Sequence, residues 1–162
     1  MKIIKYLPLL LVIVACSSTP SIRTYFVEAG VVQLFVPPTD WTAKSTKIKA
    51  QLDITYRVGT DIPPAVNISF FGGKTIPRQI TSISLNGSGH SCVFENITVL
   101  YPNMKKKEVR ITSTANRDDL LSVLAADRVI LAAEIDGIPH QFIPDKNFQI
   151  LKNEFLTSIS YY

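Results

Sequence analysis

The stretch KIKAQLDITYRV, residues 47–58, decides how this chain is read. Ile48, Ala50, Leu52, Ile54, Tyr56 and Val58 fall on one side of an extended backbone, and Lys47, Lys49, Gln51, Asp53, Thr55 and Arg57 on the other. Successive side chains of a strand point to opposite faces, so this is a strand with one buried and one wet face, as in antiparallel sheets. On a helix the same apolar residues would spread around the whole cylinder.

Working outward, shorter extended segments bracket it. Residues 30–36 precede Pro37-Pro38, residues 65–71 lie between Pro63-Pro64 and Gly72-Gly73, and residues 79–85 precede Asn86-Gly87. Residues 92–101 and 107–113 flank Pro102-Asn103 and read as a hairpin. Residues 128–135 and 138–143 surround Asp136-Gly137, a strong tight-turn signal because both turn positions need positive φ. Pro139 places the second of these strands at an edge.

Two stretches change period. Asn116 is placed to cap a short helix over residues 117–125, with Asp118 and Asp119 in its first turn where the dipole favours them. Asp145 is placed to cap a second over residues 146–159, where Phe148, Leu151, Phe155 and Ile159 recur at steps of three and four. The spacing predicts that this helix covers an open end or face of the sheets. The expected fold is mainly β: an antiparallel, immunoglobulin-like sandwich of seven or eight strands with a short helix and a C-terminal helix. Trp41 follows Pro-Pro-Thr-Asp and reads as a loop residue, and no Cys–Trp–Cys framework of a true immunoglobulin domain is present.

The chain opens MKIIKYLPLLLVIVACSS. Lys2 and Lys5 precede an apolar run from Tyr6 to Ala15, which has the layout of a secretory signal and is too short to span a bilayer, which needs about 20 apolar residues. Ile13-Val14-Ala15-Cys16 resembles the lipobox of bacterial lipoproteins. That resemblance implies acylation of Cys16 and removal of residues 1–15; the small, polar residues that follow read as a tether over residues 16–24, and the strand pattern as a single domain over residues 25–162. The resemblance also implies a lipid-anchored place in the cell envelope. Ser17 resembles the outer-membrane sorting signal of diderm bacteria. The sequons at Asn67, Asn86 and Asn96 are then ordinary strand and turn residues.

Without residues 1–15, 147 residues remain (162 − 15), enough for one domain with a core. Removing Lys2 and Lys5 from the 17 basic residues leaves 15 against 13 acidic, a net +2 that points to no polyanion partner and no nucleic acid. With Cys16 lipidated, Cys92 has no disulfide partner, and burial beside Val93 and Phe94 is its expected state.

Candidate chemistry is thin. NGSGHSC, residues 86–92, gathers Ser88, His90, Ser91 and Cys92 on a glycine-rich loop without an evident third member of a triad. His90 and His140 are far apart in sequence and, even with Cys92, Glu134 and Asp136, show no metal-ligand spacing. Lys105-Lys106-Lys107 reads as a solvated hairpin tip. No phosphate loop, Rossmann fingerprint or other cofactor motif appears, so neither enzyme activity nor a metal or cofactor is expected. Phe70, Phe71, Tyr161 and Tyr162 form the candidate interaction patch. The expected role is a membrane-anchored, non-catalytic interaction or structural module of the envelope, touching the bilayer through Cys16 and another envelope protein through its domain. A carrier for a small apolar ligand is the alternative.

Overall fold

In the computed structural model, which describes residues 20–162, the chain forms nine strands and two helices. They are β1 (Arg23–Glu28), β2 (Val31–Ala43), β3 (Lys49–Val58), β4 (Ala65–Phe71), β5 (Ile80–Gly87), β6 (His90–Asn103), β7 (Glu108–Ala115), α1 (Arg117–Leu124), β8 (Ile130–Ile135), β9 (Ile138–Pro144) and α2 (Lys146–Ile159). Residues 1–15 and Cys16 lie outside the described residues.

All strand pairs are antiparallel, in the order β1-β2-β3-β4-β7-β6-β5-β8-β9. The expected sandwich is corrected by one further pairing. Trp41, Thr42 and Ala43 of β2 pair with Pro144, Ile143 and Phe142 of β9, which joins β2 to β9 and closes eight strands into a barrel. β1 hangs on β2 outside the ring. Alternation along a strand tells which face is buried, and a sandwich and a barrel satisfy it equally.

Two expectations about β2 also change. The strand runs through Pro37-Pro38, because the register advances from Val36↔Ile54 to Thr39↔Leu52 and leaves an extra residue on β2. Proline is tolerated at such a bulge, where a ladder hydrogen bond is already missing. Trp41 is therefore a strand residue, fully buried, with its Nε1 donating to Thr39 Oγ1 at 3.0 Å. The tight turn after β5 also falls two residues later than Asn86-Gly87 suggested, at Ser88-Gly89, both with positive φ. Gly87 stays in β5, where a Cβ would sit 2.7 Å from Ala126 Cβ and from the Arg128 carbonyl.

The helices follow the sequence closely. Asn116 accepts from the Asp118 and Asp119 amides, and Asp145 from the Phe148 amide, so both caps are in place. The connection between β7 and β8 carries α1 over one end of the barrel past β6 and β5. α2 lays its apolar face on the interior, with Phe148 edge-on to Trp41 at 4.6 Å and Phe155 edge-on to Tyr56 at 5.4 Å. With Phe70 and Phe142, 5.7 Å apart and fully buried, these rings fill the barrel. At the other end, residues 72–79 carry the chain from β4 past β7 and β6 to β5.

Candidate functional site

The barrel wall is short of pairing at two seams: between β2 and β9, which share three pairs and carry α2 against them, and between β5 and β6, a seam that no helix among the described residues covers along its unpaired length. β5 and β6 pair only from Ser84↔Val93 to Gly87↔His90. β5 continues beside β8 to Ile80↔Ile135, and β6 continues beside β7 to Asn103↔Glu108. Beyond the Ser84–Val93 row the two strands part.

The cause lies in β6, whose register against β7 slips between Glu95 and Thr98 and again between Val99 and Tyr101. A bulge bends its strand and adds twist. At the first slip Asn96 has φ of 53°, a left-handed conformation that asparagine tolerates better than most residues, and its Nδ2 donates to Thr114 Oγ1 at 3.0 Å. The β6–β7 hairpin is thereby swung away from β5.

A groove of about 420 Å³ fills the split. Pro77, Arg78 and Ile80 form one lip, Ile97, Val99 and Pro102 the other, and the core residues Val109 and Ile111 form the floor. Through Arg78 and Pro102 it runs into a second hollow of about 440 Å³ reaching Ile76, Met104 and Lys107. The first lip is held by Asp136, whose Oδ1 accepts from the Arg78 and Gln79 amides at 2.9 Å each. Val99 pairs with inward-facing Ile111 yet is 57% exposed, because no β5 residue covers it. Leu100, Tyr101 and Met104 are exposed beside it, and Arg78 and Lys107 make the rim positive.

Chemically, the split offers an unpaired strand edge over an apolar floor. Along residues 95–103 of β6, the N–H and C=O groups turned toward β5 have no strand partner among the described residues. Such an edge can accept an added strand, with main-chain hydrogen bonds giving affinity and side-chain pockets giving selectivity.

The other candidates are scattered. Cys92 is fully buried, its Sγ 3.9 Å from the Asn116 carbonyl oxygen, and burial followed by the charge of Asp119 pushes the thiol up to about 11. A protonated, shielded thiol is a poor nucleophile. Cys92 shares a row with Leu85, Leu131 and Phe142, whereas His140 stands two rows along with Ala133 and Ile83. Three strand spacings of about 4.8 Å separate the two, so they cannot share a proton. His90 is exposed at the β5–β6 turn, where Ser88 is a turn residue. No group of three or more potential metal ligands occurs among the described residues.

His140 is buried, with Nδ1 lacking a hydrogen-bond partner among the described residues, and it lines a hollow of about 250 Å³ with Ile48, Phe71 and Ile138. Of the expected interaction patch, Phe70 belongs to the core and leaves it, since inward residues of β4 include positions 66, 68 and 70. Phe71 is half-buried at the end of the barrel spanned by residues 72–79, while Tyr161 and Tyr162 are exposed beyond α2. The structure does not bring these rings together.

The groove residues Ile80, Ile97 and Val99 did not stand out in the sequence. A signal was present in CVFENITVLY, residues 92–101: after Cys92 and Phe94 face inward, strict alternation would turn Asn96 and Thr98 inward, so the frame must slip. Comparison with protein-family models, with curated proteins and with solved structures finds no match for this chain.

Proposed function

We propose that this protein is a lipid-anchored, non-catalytic module of a bacterial cell envelope that receives an extended segment of another envelope protein between β5 and β6. The carrying observation is the unpaired edge of β6 above an apolar floor. The positive rim from Arg78 and Lys107 selects a segment that alternates apolar with acidic residues. Acylation of Cys16 confines module and partner to one surface and raises their effective concentration, so a short strand suffices. No helix among the described residues is long and apolar enough to cross a membrane, and anchoring is assigned to Cys16.

The test is a photo-crosslinking amino acid placed at Val99 in living cells, with adducts mapped by mass spectrometry. The expected result is one envelope protein joined through an extended acidic segment, with the adduct lost when Arg78 and Lys107 are both changed to Glu. No adduct at position 99, or one that survives the charge reversal unchanged, overturns the reading. The small-ligand alternative is favoured by the unpartnered Nδ1 of His140 beside its hollow. A small molecule that co-purifies with the protein and is lost on His140→Phe would support it.

A further inference from the structure

β1 is an edge strand without the usual protection. It pairs with β2 from Arg23↔Phe35 to Glu28↔Val31, and its other edge meets no strand among the described residues. Natural edges carry lysine, proline or an inward charge to discourage sticking. Here three consecutive apolar residues, Tyr25, Phe26 and Val27, stand open to solvent, Phe26 at 79% exposure. The C-terminal end of α2 arrives at the same side. Phe155 packs on Tyr56, Tyr56 pairs with Leu34, and Leu34 pairs with Thr24 of β1. Glu154 accepts from the Ile22 amide at 3.2 Å, and the exposed Tyr161 and Tyr162 follow one to two turns later.

Chain length and ring order identify what covers this face. From Cys16 to Arg23 is seven residue steps, a reach of at most about 25 Å even when fully extended. Given the acylated Cys16 of the proposed function, on which this inference rests, β1 stays beside the bilayer. β2, which bears β1, stands four strands from β6 in the eight-membered ring, so a β1 turned toward lipid turns the β5–β6 groove toward water. Tyrosine suits the interfacial layer, where its ring is part buried and its hydroxyl stays wet, and phenylalanine adds an apolar ring that sinks toward the acyl chains. We infer that β1, through Tyr25, Phe26 and Val27 and aided by Tyr161 and Tyr162, rests in the surface of the membrane that holds the acyl chains and sets the orientation of the domain.

The test uses the acylated protein in vesicles of phosphatidylethanolamine and phosphatidylglycerol with brominated acyl chains, carrying either Phe26→Trp or Val99→Trp. Trp41 is fully buried and contributes the same background to both. The expected result is quenching severalfold stronger at position 26 than at position 99, with blue-shifted emission at position 26 only. Equal quenching at the two positions overturns the inference. The mass of the N-terminal peptide reads Cys16 separately. Should that peptide carry no acyl chain, the anchoring reading fails. Coupling Cys16 to a maleimide lipid, with buried Cys92 unreactive, then still decides the matter for β1 by the same two-position comparison.

Discussion

The two sides of the barrel are built differently. Across β3, β4 and β7 the ladders run unbroken, with seven consecutive pairs from Lys49↔Phe71 to Thr55↔Ala65 and six from Ala65↔Thr114 to Phe70↔Val109. Between β5 and β6 only four pairs form before the strands diverge. The outer face of the continuous side is also tied by side chains. Asp53 accepts from Asn67 at 2.7 Å and pairs with Arg110, the one ion pair among the described residues, and Arg110 also donates to Ser69. Among the described residues the split side has no such tie across its gap, and it exposes apolar residues instead. One wall is therefore fully laddered, and the other leaves a strand edge unpaired.

The largest break in that comparison comes from β2, which adjoins the continuous side at β3. Trp41→Ala removes a fully buried ring, its contact with Phe148 and the Nε1 bond to Thr39. The expected loss is about 3–5 kcal/mol, read from urea unfolding midpoints at constant slope. Leu100→Ala on the hairpin beside the groove deletes an exposed side chain and is expected to cost less than about 0.5 kcal/mol. Similar costs at the two positions would erase the distinction.

Cys92 tests the boundary between the sides, because it pairs with Leu85 in one of the last rows before the split. Its thiol is raised from 9.0 to about 11 by burial. Below pH 9 the thiol is protonated whether folded or unfolded. Above it the unfolded chain loses the proton first, so the native state binds more protons and stability falls as pH rises toward 11. At about 1.4 kcal/mol per unit the full decline is about 2–3 kcal/mol, and Cys92→Ala abolishes it. Lys152 acts in the opposite sense. Burial lowers its pKa against the pull of Asp127, so the unfolded chain holds its proton to higher pH and stability rises as pH approaches 10.5. The difference between native and Cys92→Ala unfolding curves isolates the thiol. A thiol that titrates near 9.0 or reacts with maleimide in the folded protein would mean that the split reaches further along the wall.

Legibility follows the range of the interactions involved. The alternation of residues 47–58, the caps Asn116 and Asp145 and the Asp136-Gly137 turn are local, and each stands where the sequence puts it. Barrel closure rests on residues 41–43 meeting residues 142–144, about a hundred positions away, and nothing in either segment marks the other. Pro37-Pro38 reads as a break because proline ends most strands, while the bulge that tolerates it is a property of the pair. β1 falls partly within the expected tether, since among the described residues it pairs with β2 alone and has no buried face to impose a pattern. As for the site, Lys105–Lys107 and the terminal tyrosines are visibly exposed in sequence. Ile80, Ile97 and Val99 look like ordinary strand residues until the neighbouring strand is seen to leave them.

The departure of β6 turns on Asn96, and the smallest expected effect is the most telling. At φ of 53° a β-branched side chain crowds the backbone, so Asn96→Val is expected to cost about 1–2 kcal/mol. Part of that is the lost bond to Thr114, which an exposed pair contributes only weakly. Asn96→Gly loses the same bond but accepts the left-handed conformation, so it separates strain from hydrogen bonding and should stay within about 0.5 kcal/mol of the native chain. Amide exchange along residues 97–101 is the second readout, and in both variants it should remain as fast as in the native protein. The contrary result is specific: Asn96→Val as stable as the native chain, with residues 97–101 newly protected. That outcome would mean that the valine had straightened β6 and let it zip onto β5. The open edge would then be a shallow preference of one asparagine, and a groove so easily closed could not wait for a partner strand.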